Sequence, residues 1–300
     1  MGSEKIAFII NPKSGRRNKG NIEDIIQQYL DPKKFEVSLF RTQYPGHANT
    51  LAYEAVSQGF NKIIAVGGDG TVNEIAAALV NLDAVLGIIP CGSGNGLARH
   101  LGIPISIVRS VQLLNNCKTK KIDGGKLNDY WFFCTCGVGF DAKIGRKFAK
   151  AEKRGFLSYT KLVMNEFKAY KPKKYRFSVD GESYVRKAFL ITIANATQYG
   201  NNAHIAPNAL IDDGLFDICI IKPFPLIKAP LLGVRLFNRS LEESRYHEII
   251  RGKLIKFKKP KKKYTFHYDG EPTRFKKEKI VVSMYPRSLR VLVPKKSRVY

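Results

Sequence analysis

The stretch Val66-Gly67-Gly68-Asp69-Gly70-Thr71-Val72-Asn73-Glu74 decides the fold of the first part of this chain. The apolar run at residues 62–66 predicts a buried strand before it, and residues 75–80 predict a helix after it. Glycines on such a strand-to-helix turn let the backbone approach an anion, which the amides of the helix N-terminus can bind. Asp69 indicates a metal ion or a water between the carboxylate and that anion. The turn is therefore predicted to hold the phosphates of a nucleotide.

Strands and helices alternate on both sides of this turn. Short apolar strands are predicted at residues 6–10, 35–40, 62–66 and 84–90, with helical segments between them. This alternation predicts a parallel, doubly wound α/β sheet. Ligands of such sheets bind at the carboxyl ends of the strands, where the glycine-rich turns of this chain also lie.

After about residue 123 the predicted elements are mostly strands, with two helical insertions near residues 141–151 and 159–170. This pattern predicts an antiparallel, β-rich second domain. We expect an α/β domain over residues 1–123 and a β-rich domain over 124–300, with no long linker and a cleft between them. The strand near residues 289–294 is a candidate for return to the first domain.

Three stretches of the second domain are each predicted as one continuous strand, at residues 131–138, 188–194 and 248–257. A further segment, residues 223–232, is apolar with basic neighbours. It has two interpretations, a core helix of the second domain or an element that dips into a membrane interface.

Net charge is the most unusual property of the composition, at +26 with a pI near 9.9. So basic a chain favours an anionic partner, although a solvated surface explains the charge equally well. No zinc-finger, helix-turn-helix or RNP-type motif is present, so a nucleic-acid partner is not expected. The basic residues cluster in three stretches: Lys143, Arg146, Lys147, Lys150, Lys153 and Arg154; Lys168, Lys171, Lys173, Lys174 and Arg176; and Lys253, Lys256, Lys258, Lys259, Lys261, Lys262 and Lys263.

The five cysteines and the apolar runs point to a cytoplasmic setting. An odd number of cysteines without paired spacing argues against a disulfide framework or a zinc site. No run reaches the roughly 18–20 apolar residues that span a bilayer, and no secretory signal is expected at the start of the chain.

Two glycine-rich loops together carry a family resemblance. Neither the GxxxxGK[ST] nor the GxGxxG phosphate motif is present. The stretch Gly67-Gly68-Asp69-Gly70-Thr71, with Pro90-Cys91-Gly92-Ser93-Gly94-Asn95, resembles the catalytic domain of diacylglycerol and sphingosine-type lipid kinases. The resemblance extends over nearly the whole chain through Asn11-Pro12, Thr42 with Gly46-His47-Ala48, Leu101 to Pro104, Ala206-Pro207, Asp213-Gly214-Leu215 and Asp269-Gly270-Glu271-Pro272.

The resemblance implies a Rossmann-like, NAD kinase-like first domain, a β-sandwich second domain and an active site in the cleft between them. It implies ATP and Mg²⁺ as cofactors, with Asp69 helping to place Mg²⁺. It implies that Glu271 or Asp269 accepts the proton of a lipid hydroxyl. The implied nucleotide-binding residues are Asn11, Pro12, Lys13, Ser14, Gly15, Thr42, Gly68, Asp69, Gly70, Thr71, Val72, Asn73, Glu74 and Ser93.

A separate structural Mg²⁺ is implied at the carbonyls of Leu210 and Leu215 and the carboxylate of Asp213; without the resemblance, Asp213-Gly214 predicts an ordinary turn. The fourth loop departs from bacterial diacylglycerol kinases, because Gly96 stands where they usually have aspartate. This loop is more similar to that of sphingoid-base kinases, and Asp123 is a candidate for the missing carboxylate.

The substrate prediction is a lipid alcohol, with diacylglycerol, phosphatidylglycerol and a sphingoid base all open. The enzyme is expected to lie in the cytoplasm and to bind the anionic inner face of the membrane peripherally. The oligomeric state stays open, a homodimer included. The alternatives are an NAD kinase-like small-molecule kinase, which shares the GGDGT stretch, and a non-enzymatic basic membrane-binding protein with a kinase-like fold.

Overall fold

The chain forms two compact units in a computed structural model. Unit 1 comprises residues 1–122 and 287–300, and unit 2 comprises residues 123–286. Parts of two predicted basic clusters, at residues 150–154 and 259–263, lie outside the described residues. The structure describes residues 3–15, 22–149, 156–258, 264–275 and 279–295.

Unit 1 alternates strands and helices through its first 116 residues, as the sequence pattern predicts. Its elements are β1 (Glu4–Ile10), α1 (Ile22–Tyr29), β2 (Phe35–Arg41), α2 (His47–Ser57), β3 (Lys62–Gly67), α3 (Asp69–Leu79), β4 (Val85–Pro90), α4 (Gly96–His100) and α5 (Ile107–Leu114).

The sheet of unit 1 is parallel, in the order β2-β1-β3-β4. Alternate β1 residues such as Ile6 and Phe8 pack with α1 and α5 in one apolar cluster. The residues between them, Ala7 and Ile9, are equally buried. Side chains that are buried on both faces are typical of a doubly wound sheet. All four strands therefore end at one edge, where the predicted phosphate loops follow them.

The described part of unit 2 contains three α-helices and the remaining strands, of which the last continues into unit 1. The strand β5 (Cys117–Leu127) crosses from unit 1 into unit 2. The other elements are β6 (Tyr130–Phe132), β7 (Thr135–Gly139), α6 (Phe140–Ala149), α7 (Phe156–Ala169), β8 (Lys173–Val179), β9 (Glu182–Ala188), β10 (Leu190–Ala194), β11 (Phe216–Ile221), α8 (Ala229–Phe237), β12 (His247–Gly252), β13 (Leu254–Phe257), β14 (Tyr264–Tyr268), β15 (Glu271–Phe275) and β16 (Ile280–Pro294).

Two antiparallel sheets pack against each other in unit 2. One has the order β12-β11-β10-β7-β14-β15, and in the other β13 pairs with both β8 and the first part of β16. The core between them contains alternate residues of facing strands, such as Cys136 and Val138 with Phe177 and Ile255. The other face of the first sheet is covered by α6, α7 and α8, whose apolar residues form a second cluster with Phe189 and Cys219.

The chain changes sheet within stretches that look continuous in sequence. The strand β12 pairs with β11, whereas β13 begins two residues after it and pairs with β8 and β16. At this corner a Cβ on Gly252 would come within 2.2 Å of Val179 Cγ1. The Asp180 carboxylate accepts hydrogen bonds from the amides of Lys253 and Leu254. A glycine and an aspartate thus fix the corner.

The single strands predicted at residues 131–138, 188–194 and 248–257 are therefore wrong. Each contains parts of two strands that belong to different sheets, and strands of packed sheets commonly change sheet at such bends.

All five cysteines are free thiols. None of the helices that the structure describes is long and apolar enough to cross a membrane.

Candidate functional site

The third strand of unit 1 turns directly into α3. β3 ends at Gly67 and α3 begins at Asp69, with Gly68 in an extended conformation between them. A Cβ on Gly67 would lie 2.5 Å from the Thr71 side chain, so only glycine allows the helix to fold back this closely. The first-turn amides of a helix have no acceptor within it, which makes this turn suited to an anion.

The Asp69 carboxylate holds the fourth loop. Its Oδ2 accepts the amide of Asn95 at 2.9 Å and its Oδ1 accepts that of Gly96 at 2.7 Å. A Cβ on Gly94 would lie 2.7 Å from Asp69 Oδ2. The predicted magnesium-placing residue therefore also fixes the loop that begins α4.

Glycines let the loops pack backbone on backbone. A Cβ on Gly92 would lie 2.7 Å from Gly68 Cα, and one on Gly15 would lie 2.2 Å from the carbonyl oxygen of Cys91. Within the fourth loop, the Asn95 side chain accepts the Gly92 amide at 3.0 Å and donates to its carbonyl at 2.8 Å. The first, third and fourth loops thus form one continuous rim.

The first loop is tied to the third by a side-chain hydrogen bond. Asn11 Nδ2 donates to Thr71 Oγ1 at 2.9 Å, and Asn11 Oδ1 accepts the Lys13 amide at 3.0 Å. Lys13 itself is exposed and places a cation on this loop, while Ser14 is half-buried.

The second loop is held by Glu74. Its two carboxylate oxygens accept the amides of Gly46 at 3.0 Å and Ala48 at 3.2 Å. Gly46 is the N-cap of α2 and has no side chain, so Glu74 supplies the capping oxygen from α3. The amide of Thr42 donates to the Ile10 carbonyl at 2.9 Å, which holds Thr42 at the end of β2.

The structure therefore brings the predicted nucleotide residues of unit 1 to one edge of its sheet. Several act on each other: Asn11 with Thr71, and Asp69 and Glu74 with neighbouring loops. Val72 is buried, so its side chain belongs to the core. The exposed members are Pro12, Lys13, Gly15 and Ser93.

In unit 2, Asp269 and Gly270 form a two-residue hairpin turn. Their φ values are 42° and 88°, and Tyr268 pairs with Glu271 across the turn. Asp-Gly is a strong hairpin signal because both central residues of this turn need positive φ. Asp269 and Gly270 were predicted only as part of a source of carboxylates, and the turn was not predicted.

The carboxylate of Asp269 accepts three backbone amides. Its Oδ2 accepts Phe133 at 2.8 Å, and its Oδ1 accepts Cys134 at 2.9 Å and Thr135 at 3.0 Å. These bonds tie the hairpin to the segment that leads into β7. Glu271, in contrast, is exposed at the first position of β15.

The tripeptide Asp-Gly-Glu occurs a second time in unit 2, at residues 180–182. Asp180 and Gly181 have φ values of 50° and 96°, and Val179 pairs with Glu182 across the turn. The tripeptide alone therefore predicts a hairpin and does not identify a reactive carboxylate.

Sequence reasoning missed a polar cluster beside the 269–271 hairpin. Asp141 Oδ2 lies 3.0 Å from His267 Nε2 and accepts the Thr192 hydroxyl at 2.9 Å, and Tyr199 contacts both Asp141 and Thr192. A Cβ on Gly137 would come within about 3 Å of both members of the Asp141–His267 pair. The available signal was Gly137-Val138-Gly139-Phe140-Asp141, a strand, glycines and an aspartate before a helix, as at residues 66–69.

Burial raises the pKa of the Cys136 thiol well above its usual value, and the nearby Asp269 and Asp141 carboxylates raise it further. This thiol is therefore protonated and belongs to the core rather than to the chemistry of the site.

Asp213, the carboxylate predicted to hold a structural Mg²⁺, makes contacts within the protein. Asp213 Oδ1 accepts the Leu215 amide at 3.0 Å, and its Oδ2 pairs with Arg251. Arg251 also binds Asp217 at 3.0 Å. Among the described residues, no three His, Cys, Asp or Glu side chains are grouped to hold a metal ion. The guanidinium of Arg251 therefore places a positive charge beside Asp213, and the structural Mg²⁺ stays a prediction.

Asp123 is fully buried, and its Oδ2 accepts the Gly214 amide at 2.7 Å. The carboxylate that was considered for the fourth loop thus supports the turn after Asp213. Its predicted role toward a nucleotide stays a prediction.

Comparison with known proteins gives two domain matches. The diacylglycerol kinase catalytic domain matches residues 5–127, and the YegS C-terminal NAD kinase β-sandwich-like domain matches residues 134–293. Both support the predicted fold class, an α/β domain followed by an antiparallel β-sandwich.

Relatives and solved structures agree with these matches. Diacylglycerol kinase from Bacillus subtilis is 31% identical over 225 residues, which cover 73% of this chain and 74% of that protein. A protein named "probable lipid kinase YegS-like" from an Enterobacter species is 31% identical over 262 residues, 83% of either chain. The solved structure of a diacylglycerol kinase from Bacillus anthracis has a TM-score of 0.74 at 23% identity over 97% of both chains, and shows the same fold. The chain therefore belongs to the diacylglycerol kinase and YegS-like family of lipid kinases.

Proposed function

We propose that this lipid kinase transfers the γ-phosphate of ATP to the hydroxyl of a membrane lipid alcohol and requires Mg²⁺. The observation that carries the proposal is the rim of unit 1, where loops after successive strands are locked together around the N-terminus of α3. Asp69 bonded to the Asn95 and Gly96 amides is its central contact. A pre-organised set of backbone amides suits phosphoryl transfer, which depends on positioning and charge neutralisation.

Glu271 is the proposed base that accepts the proton of the lipid hydroxyl. An exposed carboxylate can approach an alcohol and take its proton as the oxygen attacks phosphorus. Asp269 already accepts three amides, and these contacts support a structural role for it. These contacts support the choice of Glu271 over Asp269 within this proposal.

Asp69 is the residue proposed to hold the catalytic Mg²⁺. Both of its oxygens accept an amide, but a carboxylate has about four lone-pair sites, so the donor set still fits a cation. When bound, the ion would neutralise charge on the phosphates. The residues of the chain orient the loops: Glu74 holds the second, Asn11 the first and Asp69 the fourth. The cleft between the two units that the family resemblance implies stays a prediction.

A lipid acceptor requires access to a bilayer, and the net charge of +26 supports peripheral binding to an anionic membrane surface. The cytoplasmic face of the membrane is the proposed location.

An acceptor screen with radiolabelled ATP and Mg²⁺ tests the proposal. Diacylglycerol, phosphatidylglycerol and a sphingoid base in mixed micelles are the candidate substrates, and NAD is the acceptor of the rival small-molecule kinase. We expect label in one lipid and none in NAD. Label in NAD alone would establish the rival. Absence of transfer to every acceptor, with folded protein and bound nucleotide, would favour the non-enzymatic alternative.

A further inference from the structure

The helix α8 and the 3-10 turn before it expose a row of large apolar side chains. Ile227 is 83% exposed and Val234 60%, and three further apolar residues are about half exposed or more. Because most of them follow each other at intervals of three or four residues, they lie along one side of the helix. We call this surface the α8 stripe; it consists of Leu226, Ile227, Leu231, Val234 and Phe237.

The opposite side of α8 is anchored in unit 2. Leu232 is buried, and Leu236 packs against the same apolar cluster, which contains Phe189 and Leu241. The backbone also connects the helix to the body of unit 2, since the His204 amide donates to the Leu236 carbonyl at 2.8 Å. The α8 stripe is therefore the outer face of a fixed helix. The core-helix interpretation holds for one side of α8 only.

The chain around the α8 stripe is basic. From Ile218 to Ser240 there is no acidic residue, and four basic ones flank the stripe: Lys222, Lys228, Arg235 and Arg239. Lys228 and Arg239 are exposed. Lys222 pairs with Glu248 and Arg235 with Glu243, so these two cations are partly neutralised. The acidic Glu242 and Glu243 follow on the next 3-10 helix, where Glu242 accepts a hydrogen bond from Asn208.

We propose that the α8 stripe inserts into the interfacial layer of an anionic bilayer and docks unit 2 on it. An apolar helix face bordered by lysine and arginine is the pattern of helices that lie in a membrane interface. The long basic side chains can extend toward lipid phosphates while the apolar residues enter the acyl boundary. This inference rests on the proposed function in one respect: the membrane on which unit 2 docks would be the one that contains the lipid acceptor.

Charge favours a bilayer over a second copy of the chain as the occupant. Two copies that met through the α8 stripe would bring Lys228 and Arg239 of one toward the same cations of the other. Like charges oppose such an interface, whereas anionic lipid headgroups attract these side chains.

Vesicle binding without nucleotide tests the docking surface. The probe is vesicles of equal parts phosphatidylglycerol and phosphatidylcholine, and the variant is Ile227→Glu with Leu231→Glu. Sedimentation measures the fraction of protein bound to the vesicles. We expect the variant to partition onto them at least tenfold more weakly than the wild type. The matched control is Tyr53→Glu with Val185→Glu, which adds the same charge at two exposed residues outside the stripe. We expect less than a threefold change for the control.

A second variant and a second assay complete the test. Ile227→Ser with Leu231→Ser removes the apolar surface without adding charge, and we expect it to weaken partitioning at least threefold. Phosphorylation of a short-chain, monomeric lipid alcohol should stay within twofold of the wild type in both stripe variants.

Equal vesicle binding by the stripe variants and the control would overturn the inference, as would a change confined to the oligomeric state in solution. If the stripe variants lost vesicle binding and the wild type showed no kinase activity, the proposed function would be refuted while the docking surface would be established.

Discussion

Unit 2 contains two hairpins with Asp-Gly-Glu at the turn, and they differ in their surroundings rather than in their backbone. In both, the aspartate and glycine have positive φ and the aspartate carboxylate accepts amides of a distant segment. Both present the glutamate at an exposed position. The hairpin at residues 180–182 fixes the corner between β12 and β13, whereas the hairpin at 269–271 lies next to α6.

The surroundings of the 269–271 hairpin suggest why Glu271 would be reactive. A Cβ on Gly145 of α6 would lie 3.4 Å from the Gly270 carbonyl, and Asp141, at the start of the same helix, contacts His267 of β14. Polar groups converge on the hairpin at residues 269–271 and favour a functional site there. The tripeptide at residues 180–182 does not by itself indicate such a site. The functional prediction therefore depends on where the Asp-Gly-Glu tripeptide lies in the fold and not on its sequence alone.

Replacement of the two glutamates should separate the hairpins most strongly. We expect Glu271→Gln to lower kcat by about 10²–10⁴-fold, because a general base of this kind contributes that much. Glu182→Gln should keep wild-type kcat. Initial rates on the lipid acceptor measure both, with thermal unfolding as a check that both variants fold. Equal activity of the two variants would show that Glu271 is not the base.

Replacement of the two aspartates should have the same effect on stability in both hairpins. We expect Asp269→Asn and Asp180→Asn each to lower the free energy of unfolding by about 3 kcal/mol, because hydrogen bonds to a charged group contribute about 1.5–3 kcal/mol each. Denaturant unfolding measures this loss. If Asp269→Asn instead abolished turnover with unchanged stability, Asp269 would be the base and the assignment of Glu271 would fail.

Asp69 extends the comparison to unit 1, because it too accepts amides of a neighbouring loop. We expect Asp69→Asn to lower the free energy of unfolding by about 2 kcal/mol, since two charge-assisted hydrogen bonds are weakened. Nucleotide affinity, measured by calorimetric titration, should fall as well. Asp83→Asn is the control, because Asp83 is an exposed residue whose ion pair with Arg290 contributes little. Retained stability and affinity in Asp69→Asn would contradict the role of Asp69 in the rim.

The turn glycines should give the smallest effect, and the same one in both hairpins. A Cβ on Gly270 or Gly181 would meet no atom within 4 Å, so the cost of alanine there comes from positive φ alone. We expect Gly270→Ala and Gly181→Ala each to cost about 1–2 kcal/mol of stability. A much larger loss at Gly270 would indicate an unrecognised contact at that turn.

The fold class could be predicted because local pattern and global topology agree in unit 1. Four short predicted strands, each followed by a turn that contains glycine and then by a helix, leave few alternatives to a doubly wound sheet. The corners of unit 2 could not be predicted, because alternation continues through residues 248–257 while the chain changes sheet at Gly252. The contact that requires this glycine comes from Val179, which is more than 70 residues away in sequence.

The sequence predicted the residues of the candidate site and their roles toward a ligand, but not the contacts that these residues make with other segments of the chain. The sequence placed Asp69, Glu74 and Asp269 in ligand-binding motifs, and the structure shows each carboxylate accepting backbone amides of another segment. Such long-range acceptors leave no local pattern. The Asp-Gly turn signal at residues 269–270 was present in the sequence, and so was the glycine-rich approach to Asp141.

The last strand, β16, has a consequence for biosynthesis. Its end contributes the fully buried Leu289, Val291 and Val293 to unit 1, and Val291 pairs in parallel with Leu86 of β4. A ribosome releases residues 1–122 long before it makes these three. One flank of the sheet of the nascent unit 1 therefore stays uncovered until the whole of unit 2 has been synthesised. Loss of residues 289–300 would remove Leu289, Val291 and Val293, and would thereby disable unit 1, the part of the enzyme that is translated first.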